Sequence, residues 1–249
     1  MFNSRLIPVI TLLDGKAVKT IEFSRPQYLG DPLNIINQFT NLKADELLIL
    51  DISTYHDKPI SDIKLIQQIV DHAGMAIGYG GGLKNISQID QIFDFGYDKI
   101  VLRSSYLDFD LISKSASKYG NQSVTICLDF NLENSKNMVN YQVNGRAYSI
   151  TELENLLREL ISVGIGEILI HDVRNDGTFN GLTQDPIVDY ISQLVNCPVV
   201  LMGGCHSVKE AETYLVDHDR LHSIAAGAMF TLMSKNRSVL LNYPLRIDR

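Results

Sequence analysis

Cysteine is scarce in this chain, and long apolar runs are missing. The three cysteines, Cys127, Cys197 and Cys205, are too few and too scattered for a disulfide framework or a zinc site. We expect reduced cysteines in a cytoplasmic compartment, with Cys205 the one closest to a candidate site. No apolar run approaches membrane-spanning length, and the N-terminus leads directly into a predicted strand. Neither a membrane anchor nor a signal peptide is therefore expected.

An excess of positive charge is also lacking. The formal net charge of −7 argues against general nucleic-acid binding, although it leaves room for local basic pockets that hold phosphates. The chain is 45% hydrophobic and 20% charged, which is typical of a globular protein. Its 249 residues suffice for one large α/β domain or two small ones. We expect a single domain over residues 1–249, because no linker or break in composition divides the chain.

Glycine, by contrast, is concentrated behind two short apolar runs. Met75 to Gly82 ends in three consecutive glycines, and Cys197 to Gly204 ends in two. Glycine costs conformational entropy, and its usual benefit is that backbone N–H groups can approach a ligand closely, commonly a phosphate. The alternative is that these glycines only let loops turn back against the strands.

Short apolar segments alternate with amphipathic segments along the whole chain. Eight strand–helix pairs in about 250 residues predict a (β/α)8 TIM barrel, with a doubly wound open sheet as the alternative. Residues 131–148 interrupt this alternation with a β-hairpin signal at Asn144-Gly145. Thr151 with Glu154 predicts the capping box of the next helix, and Thr231 to Leu241 predicts the closing helix.

The chain also repeats itself. The segment around Glu46 matches the segment around Glu167, and the two Gly-Gly strands are separated by a similar interval of about 120 residues. We therefore predict two duplicated half-barrels that close into one barrel.

In such barrels the active site lies at the C-terminal ends of the strands. The pattern places these residues there or in the loops that follow: Thr11, Asp51, Gly81, Gly82, Arg103, Asp129, His171, Asp176, Gly177, Gly203, Gly204, Ala226 and Gly227. Two opposed glycine turns suit a ligand with two phosphates, or with one phosphate and another anion.

Four of the polar candidates allow two interpretations each. Asp129 is either a general acid or base, with a pKa raised by burial, or a carboxylate that fixes a loop. Lys19, predicted in a polar loop after the first strand, either clamps an anion or lies solvated at the surface. His171 either faces a ligand or packs in the core. Asp51 either faces the substrate or, as the better explanation, caps the following loop.

Four charged residues stand at the opposite ends of the strands. Arg5, Glu46, Lys99 and Glu167 begin strands one, two, four and six of the predicted barrel. Two cations and two anions there would neutralise one another as a closed ring, which could act as a gate under an apolar bore. The alternative is four unrelated rim charges.

Several stretches match a known family over nearly the whole chain. They are Arg5-Leu-Ile-Pro, Asp14-Gly15 with Val18-Lys19, Gly30-Asp31-Pro32, Asp45-Glu46 with Leu50-Asp51-Ile52, Gly80-Gly81-Gly82, Asp98-Lys99, and Gly166-Glu167-Ile168-Leu169 with Asp176-Gly177-Thr178. Together they resemble the HisF family, the cyclase subunit (a lyase) of imidazole glycerol phosphate synthase in histidine biosynthesis. The resemblance implies a partner glutaminase at the barrel base, ammonia passing through the bore, and a bis-phosphate substrate at the mouth. It assigns the charged gate to Arg5, Glu46, Lys99 and Glu167.

The departures from that family lie at the chemical end. The family uses aspartates at the ends of strands one and five; the second is Asp129, but the first falls on Thr11. A threonine hydroxyl cannot replace a carboxylate in proton transfer near neutral pH. The phosphate-loop asparagine is here Arg103, although Ser104 keeps a hydroxyl. The small residues ending strand six are His171-Asp172, and the last phosphate turn is Ala226-Gly227 without its serine.

This combination resembles the HisF-like paralogues of surface-polysaccharide pathways such as lipopolysaccharide biosynthesis. The resemblance implies a glutamine amidotransferase complex with a HisH-like glutaminase, in which ammonia reaches a nucleotide-linked N-acyl sugar. The sugar becomes an amidine with the help of a third protein. Two alternatives are a genuine histidine-pathway cyclase and a non-catalytic partner that only activates a glutaminase. No cofactor, metal, nucleic acid or membrane is expected.

Overall fold

The computed structural model describes residues 5–22, 24–53, 62–131, 140–233 and 237–244. Its strands are β1 (Arg5–Leu13), β2 (Lys16–Ile21), β3 (Ser24–Gly30), β4 (Glu46–Asp51), β5 (Ala76–Gly80), β6 (Lys99–Leu102), β7 (Val124–Phe130), β8 (Asn140–Val143), β9 (Arg146–Ser149), β10 (Glu167–Asp172), β11 (Val199–Met202), β12 (Ser223–Ala226), β13 (Leu232–Met233) and β14 (Ser238–Val239). Its helices are α1 (Pro32–Asn41), α2 (Ile63–His72), α3 (Ile86–Asp94), α4 (Phe109–Tyr119), α5 (Ile150–Ser162), α6 (Ile187–Leu194), α7 (Val208–Asp217) and α8 (Ala228–Thr231).

Eight parallel strands close into a barrel within the described residues. Their order is β10-β11-β12-β1-β4-β5-β6-β7, and the pairing of β7 with β10 joins the two ends of that order. Each barrel strand is followed by a helix, so the predicted (β/α)8 fold is confirmed and the open doubly wound sheet is wrong. Closure removes both sheet edges and creates a bore lined by alternate residues of each strand.

The alternation of side chains divides the core into two layers. Residues that point inward form a small apolar cluster, whose members are Ile7, Val9, Leu48, Val101, Cys127, Leu169, Val200, Met202 and Ala225. The residues between them in sequence pack outward against the helices in a much larger cluster. Both faces of each strand are apolar because parallel barrel strands are buried on both sides. The inward cluster makes the middle of the bore apolar.

Local signals start the helices where the chain changes direction. Asp31 caps α1 by accepting a hydrogen bond from Asn34 N, and Ser207 caps α7 in the same way. The capping box of α5 is formed by Ser149 and Glu152 rather than by Thr151 and Glu154, so that prediction was wrong by two residues. Ser149 is the cap instead of Thr151 because it is the last residue of strand β9 and the helix begins at the next residue.

Two antiparallel excursions leave the mouth of the barrel, one from each half. After β1, strands β2 and β3 fold back as a hairpin, so the predicted polar loop is wrong and Lys19 lies on β2. After β7, strands β8 and β9 form the second hairpin, with Asn144 and Gly145 at its turn. Residues 132–139 of the predicted excursion lie outside the described residues.

The chain ends differently from the prediction. Instead of a helix from Thr231 to Leu241, the short helix α8 is followed by the paired strands β13 and β14. Backbone hydrogen bonds from Leu240 N to Thr231 O and from Asn242 N to Phe230 O tie the returning chain to α8. Of the apolar residues whose spacing predicted a helix here, Leu232 is buried, whereas Met233, Val239 and Leu240 are exposed, so the segment has no continuous apolar face to pack as a helix.

Candidate functional site: the two ends of the barrel

The base of the barrel carries a closed ring of four charges, the base ring, formed by Arg5, Glu46, Lys99 and Glu167. The Arg5 guanidinium pairs with Glu46 and, at 3.1 Å, with Glu167 Oε2. Lys99 Nζ lies 2.6 Å from Glu46 Oε1 and 3.2 Å from Glu167 Oε1. Each cation thus touches both anions. The structure therefore brings together the four residues that the sequence placed at this end.

Because its charges are buried, the base ring needs all four of its members. The side chains of Glu46 and Glu167 are only 2% and 5% exposed, and Lys99 is also buried. Thr125 Oγ1 donates a further hydrogen bond of 2.9 Å to Glu167 Oε1. Buried charges are costly unless they are paired and hydrogen-bonded, so removal of one member leaves its partners uncompensated. The ring lies directly below the apolar cluster of the bore, because its members precede that cluster on the same strands.

At the other end, five charged side chains form a row, the mouth array: Lys19, Asp176, His171, Asp129 and Arg103. Lys19 Nζ lies 2.7 Å from Asp176 Oδ1, and His171 Nε2 lies 3.9 Å from the same oxygen. His171 Nδ1 is 2.9 Å from Asp129 Oδ1, and Arg103 Nε is 2.5 Å from Asp129 Oδ2. Charges of opposite sign therefore alternate along the row, with a cation at each end.

Electrostatics keep the three central members of the array, Asp176, His171 and Asp129, ionised near neutral pH. Burial alone would lower the pKa of His171, but its contacts with Asp129 and Asp176 raise that pKa to about 9, so the ring is an imidazolium. Burial would raise the pKa of Asp129, yet His171 and Arg103 lower it below its ordinary value. Against burial, Lys19 and His171 likewise lower the pKa of Asp176. Asp129 is therefore a carboxylate, contrary to the expectation of a raised pKa.

Cys127, Asp129 and His171 also bring three possible metal ligands within 4.8 Å of one another. Such a donor set suits a transition metal such as zinc. Both oxygens of Asp129 are, however, engaged by cationic partners, Arg103 and His171, and burial raises the pKa of the Cys127 thiol. We therefore assign no metal to these residues.

Thr11 and Asp51 represent the first half of the barrel at the mouth. Thr11 is buried on β1, in register with Leu50 of β4 and Val18 of β2. It places a hydroxyl at the end of the first barrel strand, whereas the fifth barrel strand, β7, carries the carboxylate of Asp129 at its end. Asp51 Oδ1 accepts a hydrogen bond of 2.9 Å from Ser53 N, and Tyr79 donates one of 3.4 Å to Oδ2. The geometry of Asp51 thus agrees with the predicted loop cap.

The candidate phosphate residues form two groups. Asp176, Gly177, Gly203, Gly204, Ala226 and Gly227 line one small cavity. The stem of Lys19 borders it, since a Cβ added at Gly227 would lie 3.2 Å from Lys19 Cδ. In the other half, Gly81 and Gly82 follow β5, and Arg103 and Ser104 are exposed after β6. A phosphate role for either group stays a prediction.

Close packing explains part of the glycine pattern. A Cβ at Gly204, where φ is +83°, would lie 2.1 Å from Gly181 O, and a Cβ at Gly203 would lie 2.4 Å from Asp172 O. The backbone of one loop therefore presses on that of another. This interpretation, which was the alternative for the glycines, does not exclude a ligand nearby, because the same loops line the cavity.

Gly204→Ala is expected to destabilise the protein by about 2 to 5 kcal/mol, since it combines a left-handed backbone with a backbone clash. Gly145→Ala is the matched control: its φ of +81° is nearly the same, but nothing lies within 4 Å of the added Cβ. That control should cost only about 1 to 2 kcal/mol. Urea unfolding of both variants measures the difference, and equal losses would contradict the clash.

Asn144 belongs to the site, although the sequence did not identify it as a site residue. Asp129 N donates a hydrogen bond of 2.8 Å to Asn144 Oδ1, and Asn144 N donates one of 2.9 Å to Asp129 O. The turn of the second hairpin thereby fixes the backbone of Asp129. The Asn-Gly signal located the turn, but nothing in the sequence showed that the turn folds back over the end of β7.

Comparison with known proteins identifies one family over most of the chain. The family described as histidine biosynthesis protein matches residues 5–233. A Leptospira interrogans protein provisionally named imidazole glycerol phosphate synthase subunit HisF is 34% identical over 100% of this chain and 98% of its own length. A Pseudomonas aeruginosa protein, provisionally named subunit hisF2, is 32% identical over 98% and 97%. The imidazole glycerol phosphate synthase subunit HisF of Streptococcus sanguinis is 29% identical over 83% and 82%.

A closed (β/α)8 barrel with polar side chains at both ends of its bore, in a chain whose relatives carry the names of synthase subunits, defines a synthase-type barrel subunit. The chain belongs to the HisF family of histidine biosynthesis proteins. Across the described part of the chain, no helix has the length and apolar character needed to cross a membrane.

Proposed function

We propose that this chain is a HisF-like synthase subunit that takes ammonia from a HisH-like glutaminase at its base and delivers it to a phosphate-containing acceptor at its mouth. The acceptor is a nucleotide-linked sugar that becomes an amidine in polysaccharide biosynthesis. The observation that carries the proposal is the closed base ring under an apolar bore, with a charged array at the opposite end of the same bore.

The base ring suits a small neutral nucleophile. Its four charges neutralise one another, so the ring offers hydrogen bonds without a net charge that would hold an ion. Above it, Leu48, Val101 and Leu169 belong to the packed apolar cluster of the bore. Ammonia that passes between these side chains would be shielded from water and stay unprotonated. Arg5 is the least buried member of the ring and is therefore the one best placed to move when a partner docks.

The mouth suits an acidic acceptor. The array contains three cations, Lys19, His171 and Arg103, against two carboxylates, so it carries one surplus positive charge. Lys19 borders the glycine-lined cavity of the second half, where backbone N–H groups could bind a phosphate. A third protein would supply the activation that amidation of an N-acyl group requires.

The second candidate is a genuine imidazole glycerol phosphate synthase cyclase. Asp129 and the names of the relatives favour it. Thr11 stands against it, because the acid and base steps would fall to one carboxylate whose two oxygens already bind cations.

A cyclase assay with free ammonia and the histidine-pathway nucleotide separates the two candidates. The Streptococcus sanguinis subunit is the positive control, and Thr11→Asp tests whether the missing carboxylate is the cause. We expect wild-type turnover at least about 100-fold below the control, in line with the loss of one acid–base group. Turnover close to that of the control would contradict the sugar-amidation role. Stimulation of a HisH-like glutaminase, with transfer to neither acceptor, would instead indicate a non-catalytic activating partner.

A further inference from the structure

The two ion-paired partners of Asp129 are held very differently. The side chain of Asp129 is 6% exposed, and Asn144 bonds both its backbone N and its backbone O. His171 is equally buried and sits between Asp129 and Asp176. Arg103, by contrast, is 49% exposed and follows the last residue of β6. Movement at this pair is therefore far easier for Arg103 than for the carboxylate.

Arg103 is also the end of the mouth array that faces solvent. A guanidinium presents several N–H donors in a planar fork, which matches a phosphate as well as a carboxylate. A phosphate near neutral pH carries up to two negative charges, and the array already has one cation in excess. An acidic group that arrives at the mouth therefore competes with Asp129 for Arg103 on favourable terms.

We propose that Arg103 determines specificity for an acidic acceptor, and that it leaves Asp129 for the acceptor's phosphate and so releases Asp129 Oδ2 for proton transfer. The proposal rests on the proposed function in requiring a phosphate-containing acceptor. His171 remains on Oδ1 and keeps the carboxylate oriented after Arg103 has moved. The Arg103 pair thus blocks Asp129 Oδ2 as a general base until the acceptor's phosphate draws Arg103 away.

One carboxylate can then serve both proton steps. When ammonia adds to the acceptor carbon, a C–N bond forms and the electron pair of the carbon–oxygen π bond moves to oxygen. Asp129 Oδ2 takes a proton from the new ammonium nitrogen and passes it to that oxygen, so no net proton is consumed. The adduct then loses this hydroxyl together with one nitrogen proton as water, driven by the activation that the third protein supplies, and the carbon–nitrogen double bond of the amidine forms. This shuttle accounts for a chain with Asp129 on β7 and Thr11 on β1.

Inorganic phosphate is the probe, and the protein is labelled with 13C at aspartate carboxyl carbons. The Asp129 signal is identified by its absence in Asp129→Asn. We expect phosphate to raise the pKa of Asp129 in the wild type, because Arg103 no longer stabilises the carboxylate. In Arg103→Ala the pKa should already be raised, phosphate should not shift it, and phosphate affinity should fall at least about tenfold, as expected for loss of a charge-assisted contact. Arg103→Lys should retain part of both effects.

Arg158→Ala is the matched control, since it removes an exposed arginine from helix α5 outside the array. It should leave the phosphate response unchanged. Equal phosphate affinity in Arg103→Ala and the wild type would overturn the assignment of Arg103. Phosphate binding without a response of the Asp129 signal would overturn the release step, and no binding at tens of millimolar phosphate would overturn both. None of these results alters ammonia delivery through the base ring, which is measured separately by glutaminase coupling.

Discussion

Lys99→Ala is expected to uncouple glutamine cleavage from product formation in the complex with the glutaminase. Lys99 is the buried cation that joins Glu46 to Glu167, and without it Arg5 alone faces two carboxylates. Removal of one partner from a buried ion pair typically costs about 3 to 5 kcal/mol, so the ring should reorganise. We expect several-fold less product per glutamine cleaved and a matching loss in the free energy of unfolding.

Lys114→Ala provides the control for the loss of a lysine. Its ammonium pairs with Asp110 at 2.6 Å on the exposed surface of α4, where solvent screening leaves such a pair with little effect on stability. Coupling and stability should both stay close to wild type in that variant. If Lys99→Ala also couples normally while the protein is folded, the base ring is not a gate.

Asp129→Asn should reduce acceptor amidation by about 100- to 10,000-fold, the usual contribution of a general acid or base. The asparagine keeps the shape but cannot take a proton. The same change removes a carboxylate from His171, so the pKa of His171 should fall from about 9 while burial continues to lower it. The imidazolium, which persists up to about pH 9 in the wild type, should then deprotonate at a lower pH. Nitrogen chemical shifts of the imidazole against pH measure this directly.

The chain offers a matched aspartate–histidine pair away from the mouth. His218 Nδ1 lies 2.6 Å from Asp189 Oδ1, which belongs to α6 on the outside of the barrel. Asp189→Asn should leave amidation unchanged. An Asp129→Asn enzyme with wild-type amidation would show that Asp129 only fixes the loop, as its contacts with the Asn144 turn also permit.

Much of the fold could be predicted because it depends on local patterns that repeat. Apolar runs of strand length, each followed by an amphipathic segment, indicated the eight units, and charges at strand starts indicated the base ring. Both predictions depend on where a residue lies along its strand. Because the barrel strands are parallel, residues at the starts of different strands lie at the same end of the barrel. The four members of the ring, drawn from strands far apart in sequence, therefore meet where expected.

Other features depend on contacts that no local pattern shows. The segment after β1 is as polar as a loop, yet it forms strand β2 and pairs with β1. Backbone hydrogen bonds hold this strand in place, and they leave no alternation of side chains in the sequence. The pairing of Lys19 with Asp176 follows from that hairpin, as the loop after β10 packs on β2 through the bond from Glu22 N to Asp176 O. The lowered pKa of Asp129 was missed for the same reason, since its partners Arg103 and His171 come from other strands.

The base ring also contributes to the association of the two halves of the barrel. Arg5, Glu46 and Lys99 belong to the first half and carry a net charge of one positive unit, whereas Glu167 is the only member from the second half. A first half on its own would bury an unbalanced cation, and a second half a lone anion. Cancellation of charge is therefore complete only when the two halves close into one barrel.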